Sequence, residues 1–244
     1  DADNLLGEAG DDLINGGSGN DIIGTDRSLS FLDYNYELGN DTLSGGDGDD
    51  IIYGGSGGDT IHGNGGKDRL FGDYDAPANT LNGAADYIYG DDGDDYIVTG
   101  GFSSGHYPNW DVDLGSNYAW GGNGSDLMFG ESGQDFLYGE DGNDYIIDIH
   151  GANYFEGGAG DDQITGGDGS EAMSGGEGND FLDSRDGDDT LVGNNGTDAL
   201  YGGNGEDFLS GGDGPNDSCD GGANTDALSG GSLSSGCEVV INVP

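Results

Sequence analysis

From Gly121 to Ser210 the chain reads GGNGSDLMF GESGQDFLY GEDGNDYII DIHGANYFE GGAGDDQIT GGDGSEAMS GGEGNDFLD SRDGDDTLV GNNGTDALY GGNGEDFLS. Written this way it is ten consecutive units of nine residues. Position 4 is glycine in all ten, position 6 is Asp in eight, and position 8 is Leu, Ile, Met or Phe in all ten. The same pattern occurs at Gly7–Asn15, Gly16–Gly24, Gly45–Tyr53, Gly54–His62, Gly63–Phe71, Gly90–Val98 and Gly221–Ser229. A short period held in phase marks an architecture in which each unit buries its apolar residue against the next.

The glycines supply positive φ and close backbone approach in a six-residue turn. The three residues that follow form a strand, with position 8 inward and its neighbours outward. Two such units make one 18-residue coil of two strands and two turns, and coils stack about 4.8 Å apart. Roughly 200 repeat residues then give about 11 coils at that strand spacing.

Composition sharpens the reading. Fifty Asp and Glu stand against four Lys and Arg, for a formal net charge of −46, and only 32% of the chain is hydrophobic. Such a chain is either disordered or folds when cations neutralise it, and the in-phase repeat decides for the second. So few basic residues exclude nucleic acid and anionic membranes as direct partners. No apolar run reaches the roughly 18 residues that a membrane helix needs. No basic segment followed by an apolar stretch opens the chain, so the expectation is that any signal peptide has been removed.

The pattern G-G-x-G-x-D-x-U-x, with U a large aliphatic residue, resembles the RTX (repeats-in-toxin) calcium-binding nonapeptide family. The resemblance implies an all-β fold, a right-handed parallel β-roll or β-solenoid with 18 residues per coil and calcium-binding turns stacked on two edges. The expected organisation is one solenoid over 1–244, with surface loops near 25–39, 73–85 and 99–118 and a C-terminal cap over 211–244.

Stacked turns bring a carboxylate to the same place in every coil, and an unneutralised ladder of that kind repels itself. Hard oxygen donors at this density suit Ca²⁺, which takes six to eight oxygens at about 2.3–2.6 Å, better than Mg²⁺ or Zn²⁺. The resemblance implies that each ion lies between two turns, held by glycine-turn carbonyls and position 6 carboxylates. Asp126, Asp144, Asp162, Asp180 and Asp198 are expected in one line, and Asp135, Asp189 and Asp207 in the opposite one. That second line is interrupted by Asn153 and Glu171, so weaker or missing ions are expected between 148 and 174. Earlier candidates are Asp12, Asp21, Asp41, Asp50, Asp59, Asp68, Asp86 and Asp95, and Asp226 is the last. Position 3 oxygens (Asp47, Asp92, Asn123, Asp141, Asp168, Asp186, Asn204) are either further donors or solvated turn residues. About 10–17 ions would offset much of the charge, so folding should be coupled to calcium.

Cys219 and Cys237 are 18 residues apart, both at inward positions, and are expected one above the other as a disulfide. A disulfide places the protein outside the cytosol, and it departs from the family pattern. The tail Glu238–Val243 reads as a final strand, whereas Asp3-Asn4-Leu5-Leu6 is half a repeat with no cap before it. Outward strand positions over 87–154 are Tyr87, Tyr89, Tyr96, Val98, Leu127, Phe129, Phe136, Tyr138, Tyr145, Ile147 and Tyr154, an unusual apolar surface. The inserted segments either cover it or leave it as a contact surface.

His62, His106 and His150 are scattered, and no Ser-His-Asp, HExxH or P-loop pattern appears. Arg27, Lys67, Arg69 and Arg185 are too few to hold a polyanionic substrate. The reading is therefore an extracellular calcium-binding structural protein rather than an enzyme, in its preferred version a self-associating subunit of a filament, matrix or surface layer. The alternatives are the repeat region of a larger secreted toxin, protease, lipase or alginate epimerase, and a carbohydrate-binding adhesin.

Overall fold

Strands form where the nine-residue unit places them, each but the last (Val239–Asn242) immediately after a position 6 residue. The computed structural model describes residues 2–7, 10–24, 39–73, 84–100, 115–130, 133–223, 227–229 and 239–242. The chain divides into two compact units, Asp1–Asp135 and Phe136–Pro244.

The first unit holds β1 (Asn4–Leu6), β2 (Leu13–Ser18), β3 (Ile22–Gly24), β4 (Thr42–Asp47), β5 (Ile51–Gly55), β6 (Thr60–Gly65), β7 (Arg69–Asp73), β8 (Tyr87–Asp92), β9 (Tyr96–Val98), β10 (Tyr118–Asn123) and β11 (Leu127–Phe129). Its odd strands pair in order as one parallel sheet and its even strands as another. The second unit holds β12 (Phe136–Asp141), β13 (Tyr145–Ile147), β14 (Tyr154–Ala159), β15 (Gln163–Thr165), β16 (Ala172–Glu177), β17 (Phe181–Asp183), β18 (Thr190–Asn195), β19 (Ala199–Tyr201), β20 (Phe208–Asp213), β21 (Ser218–Gly222), β22 (Ala227–Ser229) and β23 (Val239–Asn242), with the same odd and even sheets. The result is a parallel β-roll.

Register follows the repeat. Phe155 lies between Leu137 and Met173, and Leu191 between Met173 and Leu209, each an inward position 8 residue. From Ile23 to Cys219 these inward side chains are buried. Each contributes on the order of 1.5–3 kcal/mol of burial, and the two facing columns are the core.

The partner of each carboxylate turn is 18 residues away where the repeat is regular, as from Asp41 to Asp59. Where the long segments intervene the step becomes 29, 27 and 31 residues, from Asp12 to Asp41, Asp59 to Asp86 and Asp86 to Asn117. Register is regained each time, so the extra chain leaves and rejoins the roll without shifting a side chain to the wrong face. The expected loop bounds were too wide. Asp73 is the last residue of β7, Thr99 donates its N–H to Phe129 O at 3.0 Å, and Tyr118 opens β10. Residues 25–38, 74–83 and 101–114 lie outside the described residues.

The outward surface is less open than its sequence suggests. Val98 is fully buried, and Tyr89, Tyr96, Leu127, Phe129, Phe136, Tyr138, Tyr145, Ile147 and Tyr154 are half-buried; Tyr87 is exposed. Parallel in-register pairing sets like positions above one another, so rings stack along the sheet. In the first unit His62 stacks on Tyr89 (4.4 Å), Tyr89 on Trp120 (4.7 Å), Tyr87 on Tyr118 (5.1 Å) and Tyr53 on Phe71 (5.0 Å). An inner ring of such a column presents its edge to solvent, because neighbours cover its faces.

At the carboxyl end one register expectation fails. Cys219 is buried as the second residue of β21, but its partner in β23 is Val240, not Cys237. Extra residues between β21 and β23 lengthen that coil beyond the regular step. Cys237 itself lies outside the described residues.

Candidate calcium edges

The turns fall into two sets. First-edge turns lead into odd strands and second-edge turns into even strands. In the turn Gly54–Asp59 on the second edge, Asp59 Oδ1 accepts the N–H of Asp41 from the preceding coil at 2.8 Å. The N–H of Asp59 in turn donates to Asp86 Oδ1 of the following coil at 2.8 Å. One carboxylate oxygen thus replaces a strand partner for an amide that the turn would leave unpaired.

The other oxygen, Asp59 Oδ2, is buried and has no hydrogen-bond partner. It points over Gly54, where a Cβ would lie 2.5 Å from it and 2.5 Å from Gly72 O of the next coil. The two oxygens therefore lie within about 5 Å of each other, a gap that one Ca²⁺–O distance on each side can span. Glycine at position 1 keeps this cradle open. Glycine at position 4 has a second reason: Gly178 has φ +136°, and a Cβ there would meet Gly160 O at 1.8 Å.

The arrangement recurs. On the first edge Asp3 N–H donates to Asp21, Asp21 to Asp50, Asp50 to Asp68, Asp68 to Asp95 and Asp95 to Asp126, at 2.6–2.8 Å. In the second unit the same edge runs Asp144, Asp162, Asp180, Asp198 and Asp217 at 2.8–3.0 Å. Oδ2 is likewise buried and unpartnered in Asp21, Asp50, Asp68, Asp95, Asp162, Asp180, Asp198 and Asp217. On the second edge Asp12 donates to Asp41, Asp86 to Asn117 and Asn117 to Asp135, and in the second unit Glu171 donates to Asp189 and Asp189 to Asp207.

Burial of so many carboxyls disfavours their charged form. Asp59 and Asp162 are pushed up to about 7, and Asp95 to about 8, chiefly by desolvation, against which a backbone hydrogen bond works, with neighbouring carboxylates adding to the rise. Asp68, Asp180 and Asp198 are pushed up to about 6 for the same first reason. Glu171 reaches about 8, through burial and then the charge of Asp189. A cation between the turns removes this penalty without protons.

Among the described residues no three His, Cys, Asp or Glu side chains converge on one point. Carboxylates alone cannot complete a calcium sphere, and backbone carbonyls such as Gly72 O must supply the balance. That donor set, all hard oxygen on glycine turns, fits calcium.

The chain matches the RTX calcium-binding nonapeptide repeat family over residues 1–27, 37–70, 80–103, 112–147, 151–182 and 183–217. It belongs to that family. As RTX repeats, these turns bind multiple Ca²⁺ ions. Comparison with curated proteins finds none that matches the chain.

The structure places the expected site residues of this RTX chain in the two edges, apart from Asp226, which lies outside the described residues. Position 3 side chains point away from the cradles. Asp92 and Asn123 are exposed and bond to each other at 2.7 Å, as do Asp186 and Asn204 at 2.6 Å. Two ladder members were not anticipated. Asp217, fully buried, sits one residue late because of the insertion in Gly211–Asp220. Asn117 takes position 6 near the end of the 99–118 segment, where the repeat predicts a surface loop. A search that allowed variable turn lengths and required only an Asp or Asn before each strand would have found both.

Proposed function

We propose that this chain is an extracellular calcium-binding structural protein whose folding is coupled to Ca²⁺, with the position 6 Asp residues as carboxylate ligands. The observation that carries it is the row of buried, unpartnered Oδ2 atoms of Asp21, Asp50, Asp59, Asp68, Asp95, Asp162, Asp180 and Asp198, each facing a carbonyl of the next coil. Uncompensated buried carboxylates cost several kcal/mol apiece, so a roll built on them requires a counter-cation. Circular dichroism during calcium titration tests this: β signal should appear with calcium and vanish in chelator. Full β signal in excess chelator at pH 8 would defeat it.

The finer role is a self-associating subunit of a filament, matrix or surface layer. It is supported by exposed apolar side chains on the outer faces, with Leu13 83%, Tyr87 41% and Phe208 41% exposed. Stacking of the rings on one another leaves few open faces for a sugar, which favours self-association over the carbohydrate reading. Negative-stain microscopy with calcium should show assemblies, and monodisperse particles at every calcium level would refute the role. The same reading includes the Cys219–Cys237 disulfide and an oxidising location.

A further inference from the structure

The two edges of the second unit are not equivalent. Its first edge opens every turn with glycine, and at Gly139, Gly157, Gly175 and Gly193 the next coil's carbonyl lies 2.4–2.8 Å from the Cβ point. On the second edge, the point beside Gly166 is met by the Met173 methyl at 2.6 Å and by Glu171 Oε2 at 3.0 Å, with no carbonyl of the next coil among its three nearest atoms. The next turn opens with Ser184, whose real Cβ fills the position. Its buried hydroxyl donates to Gly202 O at 2.8 Å, with Tyr201 O at 3.3 Å. Gly202 O is the counterpart of the carbonyls that face the open cradles elsewhere.

We infer that the second edge of the second unit contains a metal-free seam, in which the Met173 methyl and the Ser184 hydroxyl take the place of calcium at two successive turns. This rests on the calcium reading of the intact turns. A hydroxyl proton satisfies the carbonyl as a cation would, but it is covalently attached and present at any calcium concentration. A methyl offers no ligand and excludes the water that a bound ion would bring. The seam extends past the interruption at Asn153 and Glu171 to a turn whose position 6 residue, Asp189, matches the repeat.

The test counts ions on the full chain by native mass spectrometry at saturating calcium, with equilibrium dialysis as a second measure. Ser184→Gly reopens the cradle and should bind one more Ca²⁺ than the parent. Ser184→Ala keeps the Cβ and should bind the same number as the parent, with a lower melting temperature because Gly202 O loses its donor. An unchanged or smaller count in Ser184→Gly, or a gained ion in Ser184→Ala, overturns the seam while leaving the calcium reading intact. Absence of calcium from parent and variants alike would overturn both.

Discussion

Asp59→Asn separates the two roles of a ladder carboxylate. Asn retains Oδ1, so the 2.8 Å bond from Asp41 N–H survives. Its amide replaces Oδ2 and can donate to Gly72 O, which shares the same cradle. What changes is charge. The Asp59 carboxyl is fully buried and pushed from 3.8 to about 7 by burial. A raised carboxyl stabilises the metal-free fold fully below its unfolded pKa, and that contribution is lost as pH rises through about 7. The loss approaches about 4 kcal/mol at pH 8 and is only about 2 kcal/mol at pH 5, at about 1.4 kcal/mol per pKa unit. In chelator, with sodium sulfate added to drive folding, Asp59→Asn should therefore fold at lower sulfate than the parent at pH 8, and the gap should shrink by about half at pH 5. In calcium the order should reverse once the bound ion, which the variant forgoes, contributes more than that gap. This takes about 100 times its Kd at pH 5, worth about 2.7 kcal/mol, and more than about 1,000 times its Kd at pH 8, worth about 4.1 kcal/mol. Circular dichroism melts under the four conditions read this directly. If the variant is no easier to fold in chelator at pH 8, or is more stable than the parent in calcium, the buried-charge argument fails.

Gly193→Ala puts a methyl 2.3 Å from Asp198 Oδ2 and 2.5 Å from Gly211 O, and should remove at least one bound ion by native mass spectrometry and lower calcium-bound stability by more than about 2 kcal/mol. Leu182→Ala empties a fully buried position between Ile164 and Leu200, and should cost about 2–5 kcal/mol in denaturant melts without changing the ion count. Alkylation of the unreduced, denatured protein should label neither cysteine, and reductant should lower the melting temperature; two labelled thiols would remove the disulfide.

The repeat made most of the fold legible because one coil is dictated locally: glycine opens the turn, Asp closes it, and an aliphatic residue points inward. The same text located almost every ladder carboxylate. Legibility ended where phase was lost. Asn117 and Asp217 follow insertions, so nine-residue counting passes over them, although strand pairing brings both back into line. Cys237 was placed by counting 18 from Cys219, and the irregular last coil put Val240 opposite instead. The roles of Met173 and Ser184 were hidden for another reason: what fills a cradle depends on where a methyl or hydroxyl points across coils, and no periodicity encodes that.

All three long departures from the repeat, at 25–38, 74–83 and 101–114, fall between an odd strand and the following even strand, and hence on the second edge. Among the described turns the first edge keeps glycine at its opening and aspartate at its close from Gly16–Asp21 to Gly211–Asp217, with a single extra residue in the last of them. One margin of the scaffold thus keeps nearly constant turns while the other carries the long extra segments, so guest peptides grafted at those three junctions should be carried at coil-counted intervals along it.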